Sequence, residues 1–185
     1  MSAITLVPIG NVPDDLLNRL AKRVGEIFRT TVLLQPESFD ASLAFDSYRN
    51  QYNSSTFLSL LLKNHDSTEA KILGVTAYDL FVPVLTYVFG EAQLGGKAAV
   101  VSCFRLRPEL YGLPEDALLV ESRLEKEAIH ELGHTFGLIH CSDDRCVMHP
   151  STYAEDIDLK DTRPCITCLG QLFLNPPLVI AESHS

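Results

Sequence analysis

Hydrophobic positions along this chain change period several times, and each change marks an element. Ile4–Ile9 is a short continuous apolar run, the pattern of a buried strand. From about Pro13 to Phe28, the residues Leu16, Leu17, Leu20, Val24, Ile27 and Phe28 recur every three or four positions, as on a helix with one buried stripe. Thr31–Leu34 reads as a short buried strand. Strand, helix and strand in that order predict a right-handed crossover in a mostly parallel sheet. Ser54–Lys63 is too apolar for a surface loop and reads as a second helix, with Lys71–Ala77 as the strand after it. Leu85–Ala92 and Lys97–Ser102 read as two more strands around the turn Leu94-Gly95-Gly96, which makes the first antiparallel to its partner. If Leu85–Ala92 lies at the sheet edge, its unpaired backbone can hold an extended peptide by strand addition; a solvated or covered edge is the competing reading.

A third helix is expected to take Pro114, Glu115 and Asp116 in its first turn, where a missing N–H is harmless and acids meet the positive end of the dipole. Its residues Ile129, Leu132 and Phe136 fall opposite His130 and His134, giving one apolar face and one polar face. After Gly137 the periodicity stops and loops rich in Cys, Asp and Pro follow, with a final helical turn at Leu169–Leu174 that Asn175-Pro176-Pro177 cannot continue.

The polar face carries chemistry. Residues four apart on a helix stand one above the other, so His130 and His134 can each aim a ring nitrogen at one ion about 2.0–2.1 Å away. Glu131 sits roughly 100° around the helix, able to reach a water on that ion without becoming a ligand. His140, on a continued helix, would lie roughly 15 Å along the axis from His130 and could not share the ion. Gly137 offers the exit, because glycine adopts the left-handed conformation that ends helices. Three imidazoles then leave a fourth position open, the arrangement of a catalytic zinc, with Glu131 as general base for peptide hydrolysis. His149 and Tyr153 are near in sequence and read first as structural residues.

Cys141 and Cys146, then Cys165 and Cys168, form two short chelating loops suited to a closed tetrahedral structural zinc. Two disulfides or four buried thiols are the alternatives. Cys103 reads as a buried, inert thiol. Adjacent residues His140 and Cys141 would serve different ions and tie the position of one to the other.

Composition narrows the rest. The 185 residues are 46% hydrophobic, enough for one sizeable core, and a single domain, 1–185, is expected. It would comprise an upper subdomain of about 1–137 and a lower, zinc-stabilised one of about 138–185, the latter too short for a core of its own. A formal charge of −9 without a basic run argues against nucleic acid, and no apolar stretch reaches eighteen residues, so no membrane span is expected. Met1–Gly10 has neither a basic start nor a long apolar run ending in small residues, so a cytoplasmic, reducing location is expected. A monomer is expected separately.

The run H-E-x-x-H-x-x-G-x-x-H from His130 to His140, followed by a methionine, resembles the metzincin metallopeptidases, and its continuation into C-x₄-C-x-M and a later C-x-x-C resembles the archaemetzincins. The resemblance implies that His130, His134 and His140 are catalytic zinc ligands and that Glu131 is the general base. It also implies that Cys141, Cys146, Cys165 and Cys168 hold a second, structural zinc and that Met148 lies beneath the catalytic metal. The fold class is then α/β (α+β) and metzincin-like. It has a mixed, mostly parallel twisted sheet with an antiparallel edge strand, packed on helices that include the zinc-binding active-site helix, plus a small metal-stabilised C-terminal subdomain. A peptide or protein is the implied substrate. Two other readings stay open: a catalytically silent peptide-binding module with a seldom-loaded zinc site, and a purely structural two-zinc protein.

Overall fold

The computed structural model describes residues 2–37, 39–65 and 70–173. Its strands are β1 (Ile4–Ile9), β2 (Val32–Leu34), β3 (Phe45–Asp46), β4 (Gln51–Asn53), β5 (Lys71–Thr76), β6 (Leu80–Phe81), β7 (Gly90–Ala92) and β8 (Ala98–Ser102). The helices are α1 (Asp14–Phe28), α2 (Ser54–Asn64), α3 (Ala117–Thr135), α4 (Ala154–Leu159) and α5 (Ile166–Phe173).

A five-stranded sheet runs in the order β2-β1-β5-β8-β7, with all pairs parallel except β7 on β8. Side chains alternate across a strand, so Ile4 and Leu6, Leu73 and Val75, and Ala99 and Val101 face one side, where they share an apolar cluster with α1 and α3 residues. Val7 and Ile9, with Ala98 and Val100, face the other side and meet Phe57, Leu58 and Leu61 of α2. At Gly74 the fit depends on glycine: an added Cβ would stand 2.8 Å from Ile9 Cδ1 and 2.9 Å from Leu61 Cδ1. The mostly parallel sheet with an antiparallel edge is the architecture expected from the sequence.

Several boundaries differ from the sequence reading. The edge strand β2 is exposed at Leu33 and Leu34 rather than buried. The strand expected over Leu85–Ala92 is regular only from Gly90, because Pro83 and the bridge from Val88 to Leu80 bend the preceding residues away from β8. That bridge joins the main sheet to a second small sheet, β3-β4-β6, built from strands of two or three residues that no periodicity reveals. Pro114, Glu115 and Asp116 precede α3 instead of forming its first turn; Asp116 caps it, its carboxylate accepting from the Leu119 N–H at 2.9 Å. The last helix starts earlier than expected, at Ile166, so Cys168 lies on it. Leu174 and Asn175-Pro176-Pro177 fall outside the described residues.

Beyond Gly137 the described chain has no strand. Its apolar residues Val147, Met148, Ala154, Ile157 and Leu172 join the cluster formed by α1, α3 and the sheet. Polar clamps from α3 supplement that contact. Arg123 forms a two-pronged pair with Asp158 at 2.6 and 2.8 Å, and Lys126 donates to the carbonyl of Ile157 at 2.9 Å. No helix among the described residues is long and apolar enough to cross a membrane.

Candidate metal centre and cleft

Helix α3 presents His130 and His134 one turn apart, with His130 Nε2 and His134 Nε2 3.0 Å from each other. The other nitrogen of each ring is occupied. His130 Nδ1 is 2.8 Å from the Val147 carbonyl, and His134 Nδ1 is 2.7 Å from the Leu138 carbonyl. A carbonyl only accepts, so each Nδ1 carries the proton and each Nε2 presents a bare lone pair. Two facing lone pairs repel unless a cation lies between them. Tetrahedral zinc with bonds of about 2.0–2.1 Å would set the nitrogens roughly 3.4 Å apart, close to what is seen. Burial pushes the His130 imidazole down to about 3, against the hydrogen bond that Nδ1 donates to the Val147 carbonyl, and keeps the ring in its neutral form.

The turn that brings in the third imidazole can be followed bond by bond. α3 ends at Thr135, and Gly137 takes φ +89°. The Gly137 N–H donates to the His134 carbonyl at 2.9 Å and the Leu138 N–H to the Gly133 carbonyl at 3.0 Å, the paired bonds of a glycine-terminated helix. The same turn positions Leu138 to hold the His134 ring, so the exit predicted for Gly137 also orients that imidazole. His140 is exposed at the rim, with its ring centroid 5.3 Å from His130 and 5.0 Å from His134. One nitrogen from each of the three rings falls within a span of 4.8 Å.

Beneath them Met148 is fully buried, its thioether seated on Gly133 so closely that an added Cβ there would meet Sδ at 2.5 Å. A glycine in mid-helix costs about 1 kcal/mol relative to alanine, so Gly133 is itself a signal of close approach in the sequence. Gly90 is a second such position. A Cβ on it would stand 2.6 Å from Glu131 Cγ and 2.7 Å from the Val100 carbonyl, so β7 lies directly over the Glu131 side chain.

Glu131 lines a cleft of about 400 Å³ together with His130, His140, Glu127, residues 85–90 and residues 150–152. Burial, with the carboxylates of Glu127 and Glu91 nearby, pushes the Glu131 carboxyl well up. Glu127 is itself buried and paired with Lys160 at 3.1 Å. Tyr153, exposed at the start of α4, is not among the cleft residues, and His149 Nδ1 is taken up by the Cys141 carbonyl at 2.9 Å.

The four cysteines also converge. Cys141 and Cys165 are 3.8 Å apart at sulfur, as are Cys146 and Cys168. A regular tetrahedron of four thiolates around zinc, with bonds of about 2.3 Å, has edges of about 3.8 Å. All four thiols are free, which disfavours the disulfide alternative. N–H donation from Cys168 brings the Cys165 thiol down to about 7, whereas burial pushes Cys146 and Cys168 up, the kind of thiol pair that a bound cation would help to ionise. Cys103 is only half-buried; burial still raises its thiol and keeps it unreactive.

The sequence pattern of peptidase family M54 matches residues 23–173. An archaemetzincin of Methanocaldococcus jannaschii is 45% identical over 169 residues, covering 91% of this chain and 92% of that protein. The crystal structure of an archaemetzincin from Methanopyrus kandleri superposes with a TM-score of 0.80 at 34% identity, covering 94% of both chains. A zinc-dependent peptidase from Methanocorpusculum labreanum superposes with a TM-score of 0.79 at 28% identity, covering 91% of this chain and 99% of the other.

Proposed function

The chain belongs to peptidase family M54, the archaemetzincins, and is a zinc metallopeptidase; from that premise we propose that His130, His134 and His140 hold its catalytic zinc and that Glu131 is the general base. The observation that carries this reading is the pair of bare Nε2 lone pairs 3.0 Å apart, each imposed by a carbonyl on the far side of its ring.

Zinc at that site supplies Lewis acidity, making a water acidic near neutrality and polarising the scissile carbonyl. The chain's own groups do the rest. The carbonyls of Val147 and Leu138 fix both imidazole rings, so the ligands need not reorganise during turnover. Glu131, one residue along from His130 and held against β7, takes the proton from the attacking water and hands it to the departing amine nitrogen. Its burial raises its affinity for that proton. The edge position of β7 supports an extended substrate laid beside it, across the cleft from residues 150–152.

Cys141, Cys146, Cys165 and Cys168 hold a second, structural zinc in this reading, making two ions per chain. That ion anchors α5 and residues 141–146, and through the adjacent residues His140 and Cys141 it sets where the third imidazole stands. The chain then works as one domain whose lower part, about 138–185, is stabilised by metal.

The experiment is to load the protein with zinc, incubate it with a mixture of unstructured peptides and read new termini by mass spectrometry. New termini that vanish with chelator and return with zinc are expected. Peptides retained on the protein without any new terminus would replace this reading with that of a silent binding module.

A further inference from the structure

Glu127 has no part in the mechanism above, yet it lies on α3 one turn before Glu131 and lines the same cleft. Residues three and four apart on a helix are neighbours, about 5–6 Å between Cβ atoms, so Glu127 shares a helix face with His130 and Glu131. It is 4% exposed. One oxygen, Oε1, accepts from Lys160 Nζ at 3.1 Å. Among the described residues no donor reaches the other oxygen, Oε2.

Lys160 cannot supply that donor. An ammonium has three protons, and those of Lys160 go to Glu127 Oε1 at 3.1 Å, the His149 carbonyl at 3.0 Å and the Val147 carbonyl at 3.4 Å. The same bonds stop the carboxylate from turning away, because Lys160 is itself anchored on both sides of Met148. Oε2 is therefore a held acceptor on a residue that lines the cleft, whose other lining residues include the apolar Leu85, Tyr87, Val88, Phe89 and Pro150.

An apolar wall leading to a fixed acid matches a side chain with an aliphatic stem and a cationic tip. We propose that Glu127 is a specificity-determining residue whose Oε2 receives the ammonium or guanidinium of a lysine or arginine side chain next to the scissile bond. An aliphatic side chain that displaced solvent from this position would bury Oε2 without a donor, a loss of about 1–3 kcal/mol. An acidic one would meet Glu127 and Glu131 together. This inference rests on the proposed peptidase reading for the placing of the scissile bond beside His130 and Glu131.

The test uses one peptide sequence varied at each of the two positions flanking the cleaved bond, with lysine, arginine, citrulline, norleucine or glutamate. kcat/KM is measured for the zinc-loaded wild type. Binding of the same peptides to Glu131→Gln is measured by fluorescence anisotropy, so the preference is read with or without turnover. At one of the positions lysine and arginine should exceed norleucine by about tenfold or more in both assays, with glutamate lowest. In Glu127→Gln the lysine-to-norleucine ratio should fall below about threefold. Norleucine equal to lysine in wild-type cleavage and in Glu131→Gln binding overturns the proposal, whatever the folding of the Glu127 variant. A free N-terminal amine offers the same chemistry, and acetylated peptides separate the two: a preference lost on acetylation overturns the side-chain assignment. Peptides bound with the cationic preference but never cleaved would reject the peptidase reading and leave the subsite in place.

Discussion

The described residues of 4–135 fold as layers, a sheet between α2 on one face and α1 with α3 on the other, each interface filled by an apolar cluster. Residues 138–173 contain two short helices and no strand, and lend their apolar side chains to the first region's cluster. What distinguishes the second region is its polar and sulfur bonding: Lys160 on Glu127, Arg123 on Asp158, Lys126 on Ile157, and four converging thiols. Where the sequence lacks a repeating hydrophobic pattern, specific bonds replace it. The histidine cluster straddles the join, with His130 and His134 from the first region and His140 from the second, so the geometry of the site depends on how firmly the second is held.

The largest effect should come from Cys168→Ser. It removes one corner of the thiol cluster, and binding energies of structural zinc sites are on the order of 10 kcal/mol. Hydrogen exchange should show protection lost across 138–173 while β1, β5 and β8 keep theirs, and metal analysis should show weaker zinc binding at the histidines as well. Simultaneous loss of protection in the sheet would erase the distinction between the regions, and an unchanged histidine site would reject the link through His140 and Cys141.

Lys160→Met should cost about 3–5 kcal/mol in denaturant unfolding, because it strands the buried Glu127 charge and frees the Val147 and His149 carbonyls. Adding Glu127→Gln should recover part of that loss, and no recovery would mean the two residues do not act as a pair. The smallest of the three effects is expected from Gly90→Ala, in the layered region: about 1–3 kcal/mol of overpacking against Glu131 and the Val100 carbonyl. Peptidase activity should fall with it, since Glu131 must move. Full activity in that variant would show that β7 does not set the position of Glu131.

What could be read in advance follows the same division. β1 matches its expected range, and α1 and α2 match to within a residue, because β1 and α2 are dense apolar runs and α1 repeats its apolar positions every three or four residues. The convergence of the histidines and of the cysteines was legible because residues able to ligate metal are few in type and recur at fixed spacings. Lys160 was not, since a lone lysine among aspartates looks like a solvated residue until the fold buries it. Residues 85–89 misled through their β-forming composition; Pro83 and the Leu80 bridge override it and turn them toward the cleft. Gly90 and Gly133 depend on what crosses above them, which no local pattern encodes.

In the proposed mechanism Glu131 moves the proton for hydrolysis at a zinc held by three histidines. Peptide hydrolysis by Glu131→Gln beside the wild type, with zinc counted in both, puts this to the test. Two ions per chain in each protein are predicted, with hydrolysis by the variant at least about a thousandfold slower, in keeping with loss of a general base. Equal hydrolysis by two equally loaded proteins would contradict it.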